Sequence, residues 1–235
     1  MNDEEDVEPG NYSYEQRYVA FIDILGFRGH VNELGKNGSH DKLVSLLQAL
    51  HKIRDSSRRD LLALKAFAFA KDLQATTFSD NIVISGEGDD FQYVLSVTGN
   101  LCVELLSQGY LLRGGISSGG LHHSQDIVMG EGLVKAYELE SQVAIYPRVI
   151  IDDCCLQEAL KESTTYPLTK DFDGFYYLDY LAKESNRGFR LFEKSREAIV
   201  QTLEHGKPKE KAKARWMARY LNERASIHGI EPIPL

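Results

Sequence analysis

Leu73-Gln-Ala-Thr-Thr-Phe-Ser-Asp-Asn-Ile-Val-Ile-Ser85 is two short strands with almost nothing between them. Thr76, Thr77, Phe78, Ile82, Val83 and Ile84 are β-branched or aromatic, residue types that pack well on a pleated surface. Ser79-Asp80 is the whole joint, so the segment reads as a tight β-hairpin with a carboxylate at its tip.

Upstream, Arg17-Tyr-Val-Ala-Phe-Ile-Asp-Ile-Leu-Gly26 is another β-branched and aromatic run, ended by its glycine, and predicts a strand. A short helix is expected from Phe27 to about Lys36, before Gly35 and Gly38 take effect. Ser39 then caps a helix with Leu43, Leu46, Leu47, Leu50 and Ile53 at helical spacing. Leu61 to Phe69 is apolar on most positions and fits helix or strand. Downstream, a loop at Gly86–Asp90 precedes a helix from Phe91 to Gln108, with Val94, Val97, Leu101 and Leu105 on one face. Tyr110–Ile116 predicts a strand running into a turn at Ser117-Ser-Gly-Gly, followed by a helix over Gly132–Val143 and a strand over Arg148–Ile151.

The order is β-α-α-β-β-α-β-α-β. A hairpin flanked by helical crossovers fits an α+β fold, a ferredoxin-like antiparallel sheet with flanking helices. After Asp152 the pattern changes to a helix near Cys154–Glu162, an aromatic strand Phe175–Tyr180 and helices over Phe189–His205 and Pro208–Ala225. The expected organisation is a flexible acidic tail over 1–16, a catalytic domain over 17–152, and a helical extension over 153–235 packed on that core.

Composition narrows the function classes. The 235 residues carry a net charge of −8, which argues against a nucleic-acid partner, since that would meet a basic face. The basic residues Lys209, Lys211, Lys213, Arg215 and Arg219 around Trp216 read as a solvated helix face. No apolar run approaches the roughly 18 residues that span a bilayer. The acidic N-terminus lacks the features of a secretory signal. Cys102, Cys154 and Cys155 form no CxxC pair, and the adjacent two would strain a mutual disulfide, so a cytoplasmic setting is expected.

Two carboxylates stand out. Asp23 lies inside an apolar strand and Asp80 at the hairpin tip. A carboxylate buried in such surroundings needs a partner, and a divalent cation is a natural one, although an Asp can also cap a turn. In the expected sheet both lie side by side, able to grip the same pair of Mg²⁺ or Mn²⁺ ions.

Phe21-Ile-Asp-Ile-Leu-Gly-Phe27 resembles the first metal-binding segment of class III nucleotidyl cyclases, F-x-D-I-x-G-F. Phe78-Ser-Asp80 resembles their second metal segment, and Leu112-Arg-Gly-Gly-Ile-Ser-Ser-Gly119 their R-x-G-I-x-x-G strand. Gly130-Glu-Gly-Leu-Val-Lys-Ala-Tyr-Glu-Leu-Glu140, Tyr146-Pro-Arg-Val-Ile-Ile-Asp152 and Arg215-Trp-Met-Ala-Arg-Tyr-Leu-Asn222 resemble the pyrimidine cyclases of the bacterial Pycsar anti-phage system. The resemblance implies a homodimer with active sites at its interface, a nucleoside triphosphate substrate, two Mn²⁺ or Mg²⁺ ions, and cyclic UMP or cyclic CMP as product.

It also implies site residues. Asp23, Asp80 and the Ile24 carbonyl would hold the metals. Phe21, Leu25, Gly26 and Phe27 would line the triphosphate, with backbone N–H groups offered at the turn. Arg113 suits the β- and γ-phosphates through its planar fork, or a surface ion pair. Thr76 and Glu131 stand where purine cyclases read their base; a Thr hydroxyl suits a pyrimidine carbonyl. With Thr77 and Asn81 nearby, UTP is favoured over CTP. Val134 and Glu138 occupy the positions of the family's Asn and transition-state Arg, which leaves Lys135 and Arg148 as candidate cations. Among weaker patterns, His122 and His123 are adjacent and point apart on a strand, and His40-Asp41 lacks further ligands. No P-loop and no G-x-S-x-G elbow occurs.

Overall fold

The computed structural model describes residues 13–27, 29, 32, 44, 48, 73–88, 91–124, 127–161, 166–182, 192–227 and 230–235. The helices expected over Phe27–Lys36 and from Ser39, and the ambiguous Leu61–Phe69, lie essentially outside those residues. So does most of the 1–16 tail.

The hairpin is formed by β2 (Gln74–Phe78) and β3 (Asn81–Glu87), with Ser79 at φ 57 in the turn. β1 (Glu15–Ile24) pairs antiparallel with β3 on one side and with β4 (Leu112–His123) on the other. The spatial order β2-β3-β1-β4, antiparallel throughout, is the ferredoxin-like arrangement. β1 is central because Val19, Ala20, Phe21, Ile22 and Ile24 are all buried, which requires cover on both faces.

One face of the sheet, through Ala20, Ile22, Ile24, Ile82 and Ile84, packs on α1 (Phe91–Ser107), whose Val94, Leu95, Leu101 and Leu105 are buried against it. The other face carries Val19, Phe21 and Val83 beneath α2 (Glu131–Glu138), which follows a short β5 (Val128–Gly130). α2 runs on into a π-turn, Leu139–Val143, where the sequence predicted one continuous helix.

The turn expected at Ser117-Ser-Gly-Gly is absent; β4 continues straight through it, pairing Ser117 with Val19 and Gly119 with Arg17. Packing decides this. A Cβ on Gly115 would lie 2.5 Å from the Ala136 carbonyl, and one on Gly119 2.7 Å from the Gly132 nitrogen, so the small residues exist to let α2 lie on the strand. β1 likewise begins at Glu15, two residues inside the expected tail.

The remaining chain extends the same sheet. β6 (Val149–Ile151) pairs parallel with β4, then β8 (Tyr176–Leu178) and β7 (Leu168–Lys170) complete the order β4-β6-β8-β7. α3 (Asp153–Lys161), α4 (Glu193–His205) and α5 (Pro208–Ile227) contribute Cys155, Ala159, Ile199, Trp216, Met217 and Tyr220 to the core that α1 shares. Among the described residues no helix is long and apolar enough to cross a membrane.

Candidate active site

Strand register brings the two singled-out residues, Asp23 and Asp80, into neighbouring positions. Asp23 is the cross-strand partner of Asn81, and the Ile24 N–H donates to the Asp80 carbonyl at 3.1 Å. On the other side Asp23 faces Arg113, whose Nε donates to Asp23 Oδ2 at 3.0 Å. Asp23 and Arg113 are mostly buried, with side chains 16% and 24% exposed. The pair sits at the end of the sheet where β1 meets the hairpin tip.

A third carboxylate was missed by sequence reading. Glu140, 3% exposed, brings Oε1 to 2.6 Å from Arg113 Nε. The one Nε–H is given to Asp23, and Glu140 Oε1 is left buried without a hydrogen bond. Burial pushes the Glu140 carboxyl up to about 7, the charges of Asp23 and Asp80 push the same way, and Arg113 and Lys213 pull against them. Lys213, on α5, is felt by the same charges: burial and Arg113 lower it, while Asp23 and Glu140 hold it up. Both residues carried a signal. Gly132, Ala136 and Glu140 repeat every fourth residue, and Lys213, Trp216 and Tyr220 share a helical stripe with buried neighbours, so neither belongs to a solvated face.

This gives a pH prediction. A folded-state carboxyl raised from 4.5 to about 7 binds its proton more tightly folded than unfolded. Its ionisation therefore costs nothing below about pH 4.5, a growing amount up to about 7, and the full amount above. Glu140→Gln removes that cost, so the variant is expected to gain about 5 °C in Tm over wild type at pH 8 and almost nothing at pH 4.5. Equal gains at both pH values would contradict the assignment.

The donor set fits a hard divalent cation of the Mg²⁺ type, which is usually held by one or two carboxylates with substrate phosphates and water completing the shell. Among the described residues no three His, Cys, Asp or Glu side chains converge to hold a metal by themselves. Asp23 and Asp80 would supply part of such a shell, with a triphosphate and water completing it.

Other expected residues lie elsewhere. Phe21 is 5% exposed and packs edge-on against Tyr137 at 5.5 Å, so its ring belongs to the core beneath α2. The Leu25 N–H, expected to face phosphate, donates to the Leu111 carbonyl at 2.8 Å; Gly26 takes φ 79 and Phe27 packs on the core. Thr76, half-buried on β2, is held at 2.9 Å by the Nε2 of His123. By strand spacing its Cα is about 12 Å from that of Asp23, on the same face of the sheet.

Glu131 and Lys135 pair with each other at 2.7 Å, at the start of α2. Nine residues of helical rise put Glu131 about 13 Å from Glu140. Arg148 is corrected outright: its side chain is fully buried, with Asp171 and Asp173 bonded to its guanidinium, and cannot meet a substrate as placed. Val134 and Glu138 are exposed on α2. His123 is buried and His122 bonds the Ser13 carbonyl, so the two histidines do point apart. Tyr146, Phe172, Arg215, Trp216 and Arg219 line an open groove of about 350 Å³, where Arg215 and Arg219 stay exposed.

No protein-family model and no curated protein matches the chain. Among solved structures it is similar to the adenylyl cyclase CyaB from P. aeruginosa, with 17% identity and a TM-score of 0.49 over 71% of this chain and 94% of that one. The catalytic core of a rhodopsin-guanylyl cyclase with converted specificity, in complex with ATPalphaS, aligns with 14% identity and a TM-score of 0.47 over 70% and 95%. A bacterial light-regulated adenylyl cyclase aligns with 12% identity and a TM-score of 0.46 over 79% and 99%.

Proposed function

We propose that this chain is a nucleotidyl cyclase that converts UTP into 3′,5′-cyclic UMP and pyrophosphate, working as a homodimer and supplying a second messenger in anti-phage defence. One observation carries the reading: Asp23 and Asp80, far apart in sequence, meet on hydrogen-bonded strands with Arg113 across from Asp23. A paired divalent cation, when bound there, would activate the 3′-hydroxyl, neutralise charge at the α-phosphate and stabilise the leaving pyrophosphate.

The protein's own part is positioning. Asp23 and Asp80 hold the cations. Arg113, now paired with Asp23, would turn its planar fork to phosphate oxygens, and Glu140 keeps that fork oriented from behind. Lys213 adds positive charge from the C-terminal extension. Incubating the protein with each of the four ribonucleoside triphosphates and Mn²⁺, then separating products by chromatography, tests this. Cyclic UMP as the main product is expected; unchanged triphosphates in all four reactions would refute a cyclase.

The dimer reading rests on the α2 face. Val134 and Tyr137 are 54% and 51% exposed, and Phe78 beside them is 45% exposed, an apolar border along the candidate site. Glu131 and Lys135, distant from the carboxylates in one chain, are read as acting across the interface. Val134→Asp is expected to yield a monomer in light scattering and to lower activity at least about tenfold, the effect of burying one unpaired charge at an interface. A fully active monomeric variant would overturn the dimer.

A further inference from the structure

A row of polar side chains crosses the α2 face of the sheet: Arg17, Ser85, His123 and Thr76. Arg17 Nε donates to Ser85 Oγ at 3.0 Å, Ser85 Oγ meets His123 Nδ1 at 2.8 Å, and His123 Nε2 meets Thr76 Oγ1 at 2.9 Å. Arg17, Ser85 and His123 are 3%, 0% and 7% exposed. Burial makes the proton arrangement a matter of necessity.

Guanidinium can only donate, so Ser85 Oγ accepts from Arg17. Among the described residues, the hydroxyl proton of Ser85 then has a single acceptor within reach, His123 Nδ1. Were Nδ1 protonated instead, that buried hydroxyl would donate to nothing, at a cost of about 1–3 kcal/mol. Nδ1 therefore accepts, and a neutral ring carries its proton on Nε2, since the bond at one nitrogen fixes the other. Nε2–H in turn donates to Thr76 Oγ1. The Thr76 hydroxyl has no need to donate inward, and its proton is free to point outward, on the face shared with Asp23.

We propose that this relay, running from Arg17 through Ser85 and His123, fixes Thr76 as an outward hydrogen-bond donor and so selects a base that presents a carbonyl there. Among pyrimidines that base is uracil, whose position 4 is a carbonyl; cytosine presents an amino group, and two donors would face each other. His123 and Ser85 are positioning residues in this scheme, acting through Thr76. The inference rests on the reading that Thr76 faces the base.

Two measurements test it. The first is the tautomer of His123, read by long-range ¹H–¹⁵N NMR with ¹⁵N-histidine and assigned by the signal lost in His123→Asn. A neutral ring protonated on Nε2 is expected; protonation on Nδ1, or an imidazolium, would overturn the relay. The second is the ratio of dissociation constants for α,β-methylene UTP and α,β-methylene CTP, neither of which can be cyclised, measured by calorimetry with Ca²⁺. Wild type is expected to favour the uridine compound at least about tenfold, a figure that one mismatched buried hydrogen bond supports.

Ser85→Ala releases Nδ1, lets Thr76 donate inward, and should bring that ratio close to one, while Ser85→Thr, which keeps the hydroxyl, should restore it. A ratio untouched by Ser85→Ala, or by Thr76→Val, would overturn the proposal. Because binding is read without turnover, a protein that makes no cyclic nucleotide refutes the cyclase reading while these two measurements still decide the relay.

Discussion

Alanine at Asp23 or at Asp80 is expected to reduce turnover about a thousandfold, since on the proposed reading each would remove a metal ligand whose transition-state contribution is several kcal/mol. Neither change should cost the fold. Asp23→Ala leaves Arg113 beside Glu140, so the cation keeps a carboxylate neighbour. Asp80 is half-buried at a hairpin tip, where its backbone carbonyl, which accepts from the Ile24 N–H, survives the substitution. Product formation across a Mn²⁺ titration, alongside thermal melts, is the check. More than a tenth of wild-type activity in both variants, with saturating metal, would sink the metal assignment.

Arg148→Ala is expected to act on stability instead. The guanidinium is fully buried, bonded to Asp171 and Asp173, with Tyr146 stacked 5.5 Å away and the Trp216 indole N–H donating to the same Asp171 at 2.7 Å. Removing it strands two carboxylates at the seam between β6 and the C-terminal helices. Breaking a buried pair from one side costs about 3–5 kcal/mol. In a chain of this length that lowers Tm by about 10 °C. Arg148→Ala combined with Asp171→Asn and Asp173→Asn should recover part of the loss, because the stranded charges are gone. An unchanged melting temperature with lost cyclisation would instead return Arg148 to the active site.

These two expectations divide the site between what spacing can reveal and what it cannot. Asp23 and Asp80 are visible in sequence because a lone carboxylate in an apolar strand, and another at a two-residue hairpin joint, break the local pattern. The ferredoxin-like order follows from the same hairpin between two helical crossovers, and register then does the rest. Arg113 too is found by its strand.

Glu140 and Lys213 break no such pattern; their only signal is helical spacing in line with small or apolar residues. Each sits among charged neighbours on a helix, where only the knowledge of which face is covered distinguishes a buried group from a solvated one. The β4 glycines and serines mislead for a related reason. Alone they spell a turn, and only the helix lying on them makes them a strand.

By itself, then, the sequence determined β1, the hairpin and the start of β4, their ferredoxin-like order, and the pair of aspartates that this order brings near each other, because alternation and turn chemistry are local properties. β5, β7 and the far half of β4 were not legible in it. The tertiary structure alone decided which charged side chains are enclosed. It gave Arg148 to Asp171 and Asp173, drew Glu140 to Arg113, and linked Arg17, Ser85, His123 and Thr76 into one row. Burial is a property of the assembled chain, and a polar group's role depends on which partner remains once water is excluded.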